Sequence, residues 1–214
     1  MILQLSECLA VPLRERNNWL NAAGFAPAFQ ARSLDDPQMS QVMAAVRMML
    51  GNHAPYPAIA IDRAWNIRMA NAPFEMLSAM IDKDLWSRLG GVDRNLMRLL
   101  FHPNGIRPFV TNWKVVAPRL WSRAQREAEA VGGLEMKQVL LELSPYQDAD
   151  SLMVQEHDPL LPVLPLEIVK DQLKISLFTV ISTFGTAQDV TADELRIESL
   201  FPADEATELL FRCL

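Results

Sequence analysis

Three histidines, two cysteines and a scatter of acidic side chains are the residues best equipped for chemistry, and their spacing limits what they can do. His53, His102 and His157 stand far apart and lack the close spacing of a zinc ligand set. Ser-His-Asp combinations can be drawn, yet no Gly-x-Ser-x-Gly elbow accompanies them, so nucleophilic catalysis has no local support. Cys8 and Cys213 lie at opposite ends with no Cys-x-x-Cys spacing, which argues against a disulfide framework or a structural zinc. Glycine-rich phosphate loops are absent. A better grouping is polar and lies in mid-chain. Asn95, Arg98 and His102 share one amphipathic segment (Asn95-Leu-Met-Arg-Leu-Leu-Phe-His102), and Asn112 follows. The guanidinium fork of Arg98 suits a carboxylate, which it can hold by two parallel bonds. The plain alternative is structural, with Asn95 capping the helix and Arg98 pairing with a nearby acid.

These side chains need a scaffold, and the longest regular stretch is Leu173-Lys-Ile-Ser-Leu-Phe-Thr-Val-Ile-Ser-Thr-Phe184. It alternates side to side and is rich in β-branched and aromatic residues, which predicts a long central strand ended by Gly185. Val163–Val169 reads as the preceding strand, joined through Lys170-Asp-Gln172 as a hairpin. Ala58–Ile61 and Asn66–Ala70 read as two short strands around the turn Asp62-Arg-Ala-Trp65. Asn71 then caps a helix through Met80.

The middle of the chain is helical. Segments run over Asn95–His102, Trp113–Val131 (closed by Gly132-Gly133) and Leu134–Leu143, with Arg119, Arg123 and Arg126 expected on a solvated outer face. Residues 145–160 read as an exposed acidic loop. Residues 191–202 carry capping-box spacing at Thr191 and Glu194. They also alternate like a strand, and a strand is the reading adopted; Asp204–Cys213 is a closing helix. At the other end, residues 1–23 are two short helices broken at Val11-Pro12 and stopped by Gly24. Residues 26–37 form an extended linker, after which Asp35 or Asp36 with Pro37 starts a helix to about His53.

Composition narrows the function classes. The 214 residues are half apolar and about a fifth charged (50% and 21%), which fits an ordinary globular chain. The formal charge of −6 and pI near 5.1 argue against a chain that grips DNA by itself. No apolar run reaches the roughly 18 residues of a membrane span, and no signal-peptide pattern opens the chain. The scarce cysteines suit a reducing cytoplasm. Eleven methionines serve either as core filler or as an adaptable pocket lining.

The fold class is therefore α+β. An antiparallel sheet of about five strands is covered by helices inserted between strands two and three, which is the PAS-like order, with N-terminal helices added. On this reading the apolar side of the sheet (Met69, Leu177, Thr179, Ile181) faces the helices through Leu77, Leu96, Leu99, Leu100 and Trp113. Between them lies either a filled core or a cavity of lipid size.

Four groups of residues carry a closer resemblance. They are Val11-Pro-Leu-Arg-Glu-Arg-Asn17 with Ala22–Ala28, Asn95–Pro103, Thr183-Phe-Gly-Thr186 with Asp189-Val-Thr191, and Glu198-Ser-Leu-Phe-Pro-Ala-Asp-Glu-Ala-Thr207. Together they make the chain resemble the ligand-binding domain of bacterial MmyB-like transcription regulators. The resemblance implies an N-terminal helix-turn-helix domain followed by a PAS-like domain holding a small hydrophobic molecule, a fatty acid in at least one member.

Carried onto this chain, it makes residues 1–24 the last helices of the DNA-binding domain, 25–55 a linker and helix, and 56–214 the ligand-binding domain. The recognition helix has no counterpart, as in a shortened form or a start placed at an internal methionine. The expected ligand is a fatty acid, with Asn95, Arg98, His102 and Asn112 near its carboxylate, no catalytic or metal site and no other cofactor. DNA would be contacted only through the missing helix-turn-helix domain, and a homodimer is the default assembly. The rival readings are a dimerisation module with a filled core and a small hydrolase working through His102.

Overall fold

The computed structural model describes residues 1–89, 94–130, 133–147 and 162–213. Helices α1 (Ile2–Cys8) and α2 (Leu13–Ala22) open the chain and part at Pro12. Gly24, at φ +81°, closes α2: the Phe25 amide donates to the Leu20 carbonyl and the Gly24 amide to that of Asn21. After the linker, Asp36 accepts from the Gln38 amide with Pro37 in the first turn, and α3 (Ser40–Asn52) follows. Strands β1 (Ala58–Ile61) and β2 (Ile67–Ala70) pair around a turn in which the Asp62 carboxylate takes the amides of Ala64 and Asn66. Asn71 caps α4 (Ala72–Ile81) through the Phe74 amide. The helical insert continues with α5 (Leu85–Arg88), α6 (Leu96–Phe101), α7 (Trp113–Glu129) and α8 (Leu134–Leu143). Gly105 is required where α6 turns away, because a Cβ there would sit 2.2 Å from the Leu99 carbonyl oxygen.

The chain returns to the sheet with β3 (Leu166–Lys170) and β4 (Leu173–Ser182), then α9 (Val190–Glu194), β5 (Arg196–Pro202) and α10 (Glu205–Cys213). The order β2-β1-β5-β4-β3 is antiparallel throughout, and the helices enter between β2 and β3 as the α+β reading expects. Two layers cover the sheet. The larger core joins Ile59, Ile61, Ile168, Ile175 and Leu177 to α4, α6, α7 and α8. A smaller cluster sets Ala58, Ala60, Leu195 and Ile197 against Val46 and Leu50 of α3.

Five details of the sequence reading change. The middle strand is β5, not β4, because β5 inserts between β1 and β4. Residues 191–202 divide into helix and strand, and Asp189, rather than Thr191, caps α9 by taking the amides of Thr191 and Ala192. The hairpin turn shortens to Asp171-Gln172, with Asp171 at φ +53°, and β3 begins only after Pro165. Met69 faces away from the large core: it is the ladder partner of Ala60 and packs in the α3 layer. Arg123 leaves the solvated face of α7 and turns onto the sheet. Val131, Gly132 and most of the 145–160 loop, with His157, lie outside the described residues.

Candidate functional site

The four polar side chains singled out in the sequence are each bonded to a different part of the fold. Asn95 is 1% exposed and uses its whole amide. Its oxygen accepts from the amides of Met97 and Arg98 at 3.0 and 3.2 Å, and its nitrogen donates to the Ala64 carbonyl and the Asn66 side chain at 2.8 and 2.9 Å. It therefore caps α6 and pins it to the β1–β2 turn. Arg98 forks onto Glu142 of α8, with contacts of 3.0 and 2.7 Å. His102 accepts from the Asn104 amide through Nδ1, and its ring meets Tyr146 edge-on. Asn112 donates to the Pro165 carbonyl at 2.8 Å and accepts from the Glu167 amide, tying the start of α7 to β3.

The apolar residues converge better. Leu77, Leu96, Leu99, Leu100 and Leu177 are buried in the large core, and half-buried Trp113 packs on it with its ring 4.8 Å from Phe101. Thr179 and Ile181 share the inward face with Leu177 by strand alternation, yet Thr179 is exposed and Ile181 is 43% exposed. The helical cover thus closes over the first half of β4 and leaves the second half open.

Beside this opening lies an ionic cage that periodicity did not reveal. Glu198 of β5 is the ladder partner of Ile181 and is 5% exposed. Arg123 of α7 donates to it at 3.0 Å and to Glu127 at 3.2 Å, and its guanidinium lies 4.5 Å from the Trp65 ring centre. Glu127 also accepts from Arg196 and from the Trp65 indole, each at 2.5 Å. Burial pushes the Glu198 carboxyl above its ordinary range, and the neighbouring arginines only partly offset this. The available signal was faint: Arg123 and Glu127 are four apart beside Ala124 and Ala128 on the buried side of α7.

Two clefts lie outside the core, one of them bordering the cage. One, of about 660 Å³, runs between the α1–α2 junction and the end of α7, with Val11, Trp19 and Phe184 against Glu127 and Arg196. The other, of about 760 Å³, lies beside α3 and is lined by Arg14, Arg32, Arg47, Arg63 and Arg68 among acids. Among the described residues no cluster of His, Cys, Asp and Glu could hold a metal ion. No helix there is long and apolar enough to cross a membrane.

The arrangement combines an apolar interior under the helical cover, an open strip on β4 beyond that cover and a buried charge network beside the strip. No curated protein matches the chain significantly. A family model for the MmyB-like transcription regulator ligand binding domain matches residues 42–214, which take in most of α3, the whole sheet and the helical cover. The chain therefore belongs to the MmyB-like transcription regulator ligand-binding domain family.

Proposed function

We propose that this domain binds a fatty acid or a similar hydrophobic amphiphile and thereby biases a helix-turn-helix DNA-binding unit, working in the cytoplasm as a homodimer. The match over residues 42–214 carries the reading, since it assigns ligand binding to the part of the chain that builds the sheet and its cover. The ligand enters at Thr179 and Ile181 and lies against Leu177 and the α6–α7 cover, where Leu96, Leu99, Leu100 and Trp113 supply apolar wall. An acyl chain suits such a surface because burying it removes apolar area from water. A head group that binds Arg98 has to compete with Glu142 for the guanidinium, so the open strip is the easier approach. The domain acts by equilibrium: a ligand that prefers one arrangement of the cover shifts the population toward it.

Native mass spectrometry and solvent extraction of the purified protein test this. A co-purified acyl mass, or saturable uptake of a long-chain fatty acid that Ile181→Glu abolishes, is the expected result. A ligand-free protein that takes up no fatty acid would leave a dimerisation module with a filled core.

A further inference from the structure

The stretch from Asp193 to Glu198 holds two elements at once. At its start, Asp193 accepts from the Leu13 amide at 3.1 Å, which places a carboxylate on the first turn of α2. Glu194 takes the Arg14 fork at 2.6 and 2.8 Å. That bond raises the Arg14 pKa above its ordinary value. At the far end of the stretch, Arg196 and Glu198 bind Glu127 and Arg123 of α7. Leu195, between them, is 1% exposed and sits in the α3 layer, so the stretch is fixed to the domain rather than free to follow either helix alone.

A second connection runs in parallel. In the β1–β2 turn, Arg63 donates to Glu194 at 3.1 Å and Trp65 donates to Glu127 at 2.5 Å. The contacts thus close a ring: α2 to Glu194, Glu194 to Arg63, Trp65 to Glu127, Glu127 to Arg196, and back to Glu194 along the backbone. The cleft of about 660 Å³ borders this ring and is lined in part by Arg14, Arg63, Glu127, Asp193, Glu194 and Arg196. The ties of α2 to Asp193 and Glu194 are polar and partly solvated, so they can loosen more readily than a packed core.

We propose that the Asp193–Glu198 stretch couples the helical cover to the N-terminal helices, so that a shift of α7 loosens or tightens the docking of α2. The regulatory meaning rests on the sensor reading above, but the coupling itself is measurable without any ligand.

Hydrogen exchange on the full chain, followed by mass spectrometry, reads it. Arg123→Met removes the α7 cation that holds both Glu127 and Glu198, and exchange of the α2 amides (residues 13–22) should accelerate by at least about fivefold relative to those of β1. Glu127→Gln, which keeps the side-chain shape, should act in the same direction and serves if Arg123→Met does not fold. Glu142→Gln breaks the Arg98 pair elsewhere on the cover and should leave α2 unchanged. Because coupling is reciprocal, Arg14→Met should accelerate exchange in α7. A folded Arg123→Met or Glu127→Gln protein whose α2 exchanges as in wild type, or accelerates only in step with β1, overturns the proposal. Adding a long-chain fatty acid separates the two ideas: coupled variants with no fatty-acid response on α2 would count against the sensor reading and leave the coupling standing.

Discussion

On the inner face of the sheet, Ile59, Ile61, Ile168, Ile175 and Leu177 meet large side chains such as Phe101, Trp121 and Leu143 in one continuous apolar core. On the outer face, Ala58 and Ala60 let α3 approach closely; Glu194 and Asp193 hold α2, and Asp189 holds Arg32 of the linker. The inner layer depends on buried area, which is costly to disturb and closes all at once. The outer layer adds to its small apolar cluster the polar bonds that hold α2 at partly buried sites, each modest and each replaceable by water.

The largest expected effect tests the inner layer. Leu177→Ala removes a side chain that is 1% exposed and should cost about 3–4 kcal/mol in urea unfolding. A loss below about 1 kcal/mol would mean that a cavity already exists beneath β4. Next comes the cage, the polar exception on the apolar face. Arg123→Met leaves Glu198 buried beside Glu127 and should cost about 3 kcal/mol, while Arg123→Met with Glu198→Met should recover most of it. If the double variant stays as unstable as the single one, packing rather than charge holds α7 there.

The same cage predicts a pH trend. The folded protein holds the Glu198 proton more tightly than the unfolded chain does, because burial raises its pKa. Stability from that proton is present below the ordinary carboxylate range and is lost as pH rises through the raised folded value. Glu198→Gln cannot ionise, so its urea midpoint should gain on that of wild type as pH climbs across that interval. A constant difference would contradict the assignment. The smallest effect belongs to the outer layer: Arg14→Met should cost under about 1 kcal/mol of global stability, because its pair with Glu194 is partly solvated. A loss as large as that of Leu177→Ala would erase the contrast between the layers.

Elements with strong local chemistry were legible in the chain. Asn71 and Asn95 cap the helices their positions announce, Gly24 ends α2 in the left-handed region, and α8 spans Leu134–Leu143 as its period predicts. The apolar part of the candidate site was also largely readable, since Leu77, Leu96, Leu99, Leu100 and Leu177 all reach one core. Its polar part was legible only as a capping Asn95 and an Arg98 paired with an acid, not in which partners they take. Arg98 meets Glu142 across 44 residues, and Arg123 meets Glu198 across 75, separations at which a local pattern holds no information.

Helix period and capping thus decided where elements begin and end, because those forces act within a turn or two of the chain. Strand order, the face taken by Met69, the inward turn of Arg123 and the attachment of both α2 and α7 to the Asp193–Glu198 stretch were decided only in three dimensions. Each depends on which distant backbone lies alongside, and a buried charge is tolerable only once its partner is in place.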